Sequence, residues 1–322
     1  MAGSIQNTVI LAKVETTSGT DAAPTNIADA VAIRVSNLSV KVTETLADRD
    51  IILGAFAAAD KLPVTRRAAI GFSVELASSG TLGTAPQWGD LLIGCGFAEA
   101  VTATTRVDYT PSSASLKTLT IWAYINGRIE KYNFCAGTFK ISMKVGEIPS
   151  LDFTFTGLVS SVAAGAGVTP TLTAWQRPQA VGPINTTALS LGAVTYSAGA
   201  LTGGTLYNFH ELSIDCANDV QDLMLVAQES VGIYGRSPTG SITADLGATA
   251  HAAFVADMHA GTTRALGLVH GSVSGNKVLI YAPTGVITNV EDNVNGSVML
   301  SKMDLVLRPS SAANDDFRLV AI

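Results

Sequence analysis

The residues able to do chemistry are few and poorly placed to cooperate. The chain has four histidines, His210, His251, His259 and His270. His251 and His259 lie eight residues apart with Asp257 between them, whereas a helical metal site needs ligands at i and i+4 or a further donor close by. His210 and His270 stand in strand-like runs with no acid or nucleophile beside them. The stretch 271–275, GSVSG, has Val273 at its centre where a nucleophile elbow needs the reactive serine. Glycines at 80–83 and 165–167 lack the strand, Gly-rich loop and helix that cradle a phosphate. Cys95, Cys135 and Cys216 are widely spaced, with no CxxC pair and no disulfide framework, so buried reduced thiols of a cytoplasmic protein are expected. The glycosylation triplets at Asn37, Asn185 and Asn295 accompany no basic, apolar leader in 1–13 and are read as incidental. The expectation is a protein that is not an enzyme and holds no metal or cofactor.

Two tryptophans near turns, Trp88 and Trp175, are the remaining candidates. On a β-sandwich they could stack sugars, which makes a carbohydrate-binding adhesin the main alternative. Trp88, however, falls in a helical stripe. Trp88, Leu91, Leu92 and Cys95 are spaced i, i+3, i+4, i+7, and His251, Phe254, Val255 and Met258 repeat that spacing. Thr84 and Thr249 are the expected N-caps, and Gly96 and Gly261 the expected stops. Each helix follows a strand-like run, 70–76 and then 241–246, and each is followed by two hairpin-like pairs. Asn126-Gly127 and Asn295-Gly296 are strong hairpin turns. Phe139, Ile141, Met143 and Val145 alternate with polar residues, as do Leu151, Phe153 and Phe155, the pattern of strands with one apolar face.

The element order therefore predicts a mainly β chain of two similar sandwich or barrel domains, each with one short flanking helix. The expected division is an N-terminal arm (1–30), a first domain (31–160), a connecting segment (161–205) and a second domain (206–322). Residues 153–210 carry a single charged side chain, Arg177, but also Leu158, Trp175, Leu189 and Tyr196. That composition predicts an ordered connection lying against protein rather than a free linker. Two excursions interrupt the strands. The first, 43–67, sets Asp48, Arg49 and Asp50 beside Ile51, Ile52, Leu53 and Phe56, with Arg66 and Arg67 at its far end. The second, 217–238, sets Asp219 and Asp222 beside an apolar run. Insertions of this length are commonly functional, and both read as arms reaching for a partner, with a mobile surface loop as the plain alternative.

Composition supports a protein that hides surface in contacts. Of 322 residues, 47% are hydrophobic and 14% charged, against about 25% charged in typical soluble domains. No apolar run reaches the roughly 18 residues of a membrane span. A large core or extensive subunit interfaces would both account for this, and charge depletion favours interfaces. The net charge is 20 − 26 = −6, unevenly divided as 13 − 14 = −1 over 1–160 and 7 − 12 = −5 over 161–322. That balance does not suit a protein gripping nucleic acid through its phosphates.

The run FSVELASSGTLGTAPQWGDLLIGCGF at 72–97, with GTDAAPT near the start and GTFKISMKVGEIPSLDFTFTG later, resembles the major tail tube proteins of long-tailed, non-contractile bacteriophages. The resemblance covers the first half well and the second by element order. It implies a virion protein made in the host cytoplasm that polymerises into stacked rings forming the conduit for DNA ejection. It further implies loops that touch the next ring, and tail tip, terminator and tape-measure proteins as partners. DNA would pass without specific binding, and no membrane is involved. A duplicated subunit would make trimeric, pseudo-hexameric rings.

Overall fold

Alternation of apolar and polar side chains is what makes the strands, and in the computed structural model it runs longer than the sequence suggested. The structure describes residues 8–24, 31–52, 58–310 and 312–322; Leu53 and Phe56 lie outside them. In chain order, β1 (Val9–Val14), β2 (Val31–Ile33), β3 (Val35–Asp48) and β4 (Lys61–Glu75) precede α1 (Gly89–Gly94). Then come β5 (Phe97–Thr102), β6 (Arg106–Pro111), β7 (Leu119–Ile125), β8 (Arg128–Lys144) and β9 (Ser150–Ala164). β10 (Leu189–Ser197), β11 (Ala200–Tyr207), β12 (Phe209–Asp215), β13 (Asn218–Leu225), β14 (Gln228–Arg236) and β15 (Thr239–Ala244) lead to α2 (Ala248–Ala260). β16 (Thr263–His270), β17 (Val278–Asn295), β18 (Val298–Leu307) and β19 (Arg318–Ala321) complete the chain.

Among the described residues seventeen strands form one hydrogen-bonded network, and β13–β14 forms a separate ribbon. The run after the Asn126-Gly127 turn and the alternating run from Phe139 are one strand, β8. A bulge between Asn133 and Ala136 lets it bend and continue. In the first half the order of neighbours is β1, β7, β8, β9, β4, β3. In the second it is β10, β16, β17, β18, β15, β12. β5–β6 is an extra hairpin in the first half and β13–β14 one in the second. The charge-poor segment is ordered and supplies β10 and β11, which pair with each other and, through β10, with β16.

The helices differ in how they obey their patterns. Trp88, Leu91, Leu92 and Cys95 are fully buried, and the Trp88 indole N–H donates to the Ala77 carbonyl at 2.7 Å. Burying one such large side chain contributes about 2–3 kcal/mol. Trp88 itself stands at the N-cap position, and Thr84 is used in the preceding turn. In α2 the N-cap is Gly247, Thr249 lies inside the first turn, and Gly261 closes the end at φ 65° as expected. Of its stripe only Phe254 is buried, edge-on to Tyr207 at 5.5 Å. Val255 and Met258 are half-buried, and His251 Nδ1 sits 2.9 Å from Ser301 Oγ.

One large core unites the strands of both halves. Phe97, Phe139 and Phe317 meet in it with ring centroids 5.3–6.1 Å apart. The connection 165–188 is fastened to this body through His270, whose Nε2 lies 3.0 Å from the Gln179 carbonyl oxygen and Nδ1 3.0 Å from Thr186 Oγ1. A carbonyl can only accept, so Nε2 carries the proton and Nδ1 accepts from Thr186, which is the neutral ring.

Burial lowers the His270 pKa below its ordinary value. The unfolded chain takes up this proton below about pH 6.5 while the folded chain resists it. Stability is therefore expected to be level above that pH and to fall as pH drops toward the lower folded value. Urea unfolding as a function of pH checks this: His270→Gln should flatten the decline, and an unchanged slope would refute the assignment.

Candidate functional site

The long strands build sheet edges and two projecting hairpins. Where β7 ends, its place beside β8 is taken by β12, a strand of the second half. Glu211, Leu212, Ser213, Ile214 and Asp215 stand opposite Lys144, Met143, Ser142, Ile141 and Lys140. The inward row, Leu212, Ile214, Ile141 and Met143, is fully buried. The outward row alternates in charge, and Ser142 and Ser150 both donate to the Asp152 carboxylate at 3.1 and 3.2 Å. Asn218, just beyond β12, clamps the junction. Its amide N–H groups donate to the carbonyls of Cys95 and Gly137 at 2.7 and 2.8 Å. Its backbone N–H donates to Thr138 Oγ1 at 3.1 Å.

Several strands keep an unpaired edge among the described residues, β5, β11, β3 and the far part of β17 among them. β3 pairs only with β4. β17 beyond Val286 pairs only with β18, and no strand lies on the side that β16 occupied. The turn joining β17 to β18 exposes Val294, Val298 and Met299. Exposed edges and apolar turns of this kind mark docking surfaces.

Both excursions form hairpins. β3 and β4 extend the first, where Asp48 pairs with Lys61 at 2.8 Å, Arg49 with Asp60 and Arg66 with Glu44. These charges satisfy one another inside the arm, which leaves Val42, Leu46, Ile51, Ile52, Leu62 and Val64 as its exposed apolar surface. Asp50 is exposed as well. The second excursion is the β13–β14 ribbon. Its Asp222 is ion-paired to Arg67, and its Glu229 accepts from Thr65 Oγ1 at 2.9 Å. The second arm thus lies on the base of the first, while Leu223–Leu225 and the fully exposed Val226 form its free tip. Asp219 accepts from Gln221 at 2.8 Å within the ribbon. The sequence pattern marked both excursions but not the open edges or Asn218, because pairing between distant strands leaves no local trace.

Among the described residues no group of three or more His, Cys, Asp and Glu side chains could hold a metal ion. The three thiols are buried, and burial raises the pKa of each. Trp88 is fully buried, and the half-buried Trp175 donates its indole N–H to the Ala32 carbonyl at 2.8 Å. A groove of about 600 Å³ beside Ile33, Arg34 and Asn126 has Arg34 as its charged residue. Arg34 is spent on Glu75.

A family profile described as "Phage tail tube protein" matches residues 5–309, nearly the whole chain. The chain belongs to the phage tail tube protein family. It is a structural, non-enzymatic component of the virion tail, and such proteins polymerise with themselves. The open edges and arms are therefore the surfaces to consider for assembly. No curated protein matches the chain.

Proposed function

We propose that this tail tube protein is the duplicated form found in long-tailed, non-contractile phages, and that three chains close into a ring of six similar positions. The observation that carries the reading is the shared order of strand neighbours in the two halves, joined inside one chain at β8 and β12. A head-to-tail contact repeated between unequal halves closes if its rotation divides the circle, and it needs no new surface. Each half would then be one domain of the pseudo-hexamer, sharing core with the other across the junction. Tail tip, terminator and tape-measure proteins are the further partners this reading implies. Negative-stain microscopy should find rings or tubes of the purified protein, and native mass spectrometry a three-chain ring. A stable six-chain ring would overturn the stoichiometry.

The β3–β4 hairpin is proposed as the contact to the next ring. Its ion pairs stiffen it, and its exposed Val42, Leu46, Ile51 and Ile52 supply apolar area to bury. The β13–β14 tip would make a second, different contact, since Asp222 is already engaged by Arg67. Replacing 48–56 by a short Gly/Ser turn should leave folded chains that make no tubes, read by microscopy alongside circular dichroism. Tube formation at the level of the unaltered protein would refute the arm.

The polar face of the sheet is proposed as the wall of the conduit. On it Lys140, Lys144 and Lys302 stand among Glu211, Asp215, Asp152, Asp304 and Glu291, and Lys302 pairs with Glu291 at 2.9 Å. Carboxylates outnumber and neutralise the lysines, so a passing phosphate chain meets few fixed cations and releases few counterions. Purified tubes should accordingly fail to retain DNA at low salt. Retention that weakens steeply with added salt would reverse the assignment of this face.

A further inference from the structure

The junction inside the chain, applied once more, specifies the junction between chains; the inference rests on the ring reading above. With the ends of the pre-helix runs 70–76 and 241–246 superposed, so that Leu76 matches Leu246, the strand registers carry one half onto the other row by row. Ser73, Asp152 and Lys140 stand opposite one another across β4, β9 and β8. Thr243, Lys302 and Glu291 do so across β15, β18 and β17. Glu291 therefore occupies in the second half the place of Lys140 in the first. On the other side of each half, Ser39, Val40 and Lys41 face Gly71, Ile70 and Ala69. Ser213, Ile214 and Asp215 face Ser241, Gly240 and Thr239, which occupy the matching rows. Lys41 therefore stands where Asp215 stands.

Within the chain Asp215 lies opposite Lys140. We propose that β3 of one copy adds to the open edge of β17 of the next in the same antiparallel register. Lys41 then lies opposite Glu291, Ser39 opposite Asn293 and Leu38 opposite Val294. The row is the internal one with its charges exchanged, and the exchange sorts the two kinds of junction. If β3 entered the β8 edge of another copy, Lys41 would meet Lys140. If β12 entered a β17 edge, Asp215 would meet Glu291. Like charges directly opposite across antiparallel strands are destabilising, and rejecting a near-identical wrong partner requires such a repulsive element. The inversion thus makes first and second halves alternate around a ring and prevents strands from exchanging between chains as they fold.

Two neighbouring features fit. Leu38 and Val40 are half-exposed and Val294 is exposed, so the added strand covers apolar surface that the single chain leaves open. One row departs from the internal pattern: the buried Ile214 and Ile141 are replaced by Val40 and Asp292. His251 of α2, 3.9 Å from the Asp292 carboxylate, gives that acid a polar neighbour on the inner face.

Two experiments on the full chain test this. Facing Cα atoms of antiparallel strands lie about 4.5–5.5 Å apart, within the span of a disulfide, and the native thiols are buried away from the edges. S39C/N293C tubes should give reducible interchain ladders on oxidation, absent from either single variant. K41E alone should lower assembly roughly tenfold or more through like-charge repulsion, and K41E/E291K should restore it. Tubes of S39C/N293C with no interchain bond, or K41E chains assembling like the unaltered protein, would overturn the register while leaving the tube reading intact. Failure of the unaltered protein to form rings or tubes would remove the ring reading and this inference together.

Discussion

The structure depends on one strand serving two sheets. β12 bonds to β15 of its own half and to β8 of the other. A sheet edge exposes backbone donors and acceptors in a row, and β12 satisfies those of β8 just where β7 has run out. The apolar row this creates continues into the aromatic cluster of Phe97, Phe139 and Phe317. A change that loosened β12 would therefore disturb both halves, since the buried layer beneath it is shared. Asn218 belongs to the same constraint, because its side-chain amide ties the end of β12 to the carbonyls of Cys95 and Gly137 in the first half.

Local physics made much of the fold legible beforehand. Phe139, Ile141 and Met143 alternate strictly, Asn126-Gly127 closes a tight turn, and the Trp88 stripe is apolar throughout and buried, so these elements lie close to where the pattern put them. Phage tail tube kinship was legible in the run at 72–97. The failures share a cause. β10 and β11 lie in a stretch rich in Gly, Ala and Thr, where packing against β16 supplies the order that propensity does not. α2 has the same spacing as α1 but buries only Phe254, since burial is decided by what the rest of the chain places over a stripe. The edges of β3 and β17 were illegible for a deeper reason: an edge is defined by the absence of a neighbour, and that is a property of the whole topology.

The scarcity of charge takes on meaning in this light. Those charges that occur are mostly spent on one another, as in Asp48 with Lys61, Arg67 with Asp222 and the buried Arg236 with Asp316 at 2.8 Å. Exposed pairs of this sort add little stability individually, but they leave the arms with apolar rather than ionic free surface. Contacts made by such surface are insensitive to salt, which suits an assembly that leaves a cell for media of any ionic strength.

The buried thiols bear on the life of the particle after release. A phage leaves a reducing cell for surroundings that carry oxygen and peroxides. Oxidative damage to cysteine begins with the thiolate and with access to it. Cys95, Cys135 and Cys216 are walled in, and burial holds each thiol in its protonated form. Cross-linking of the tail through these three cysteines is therefore disfavoured for as long as the fold holds.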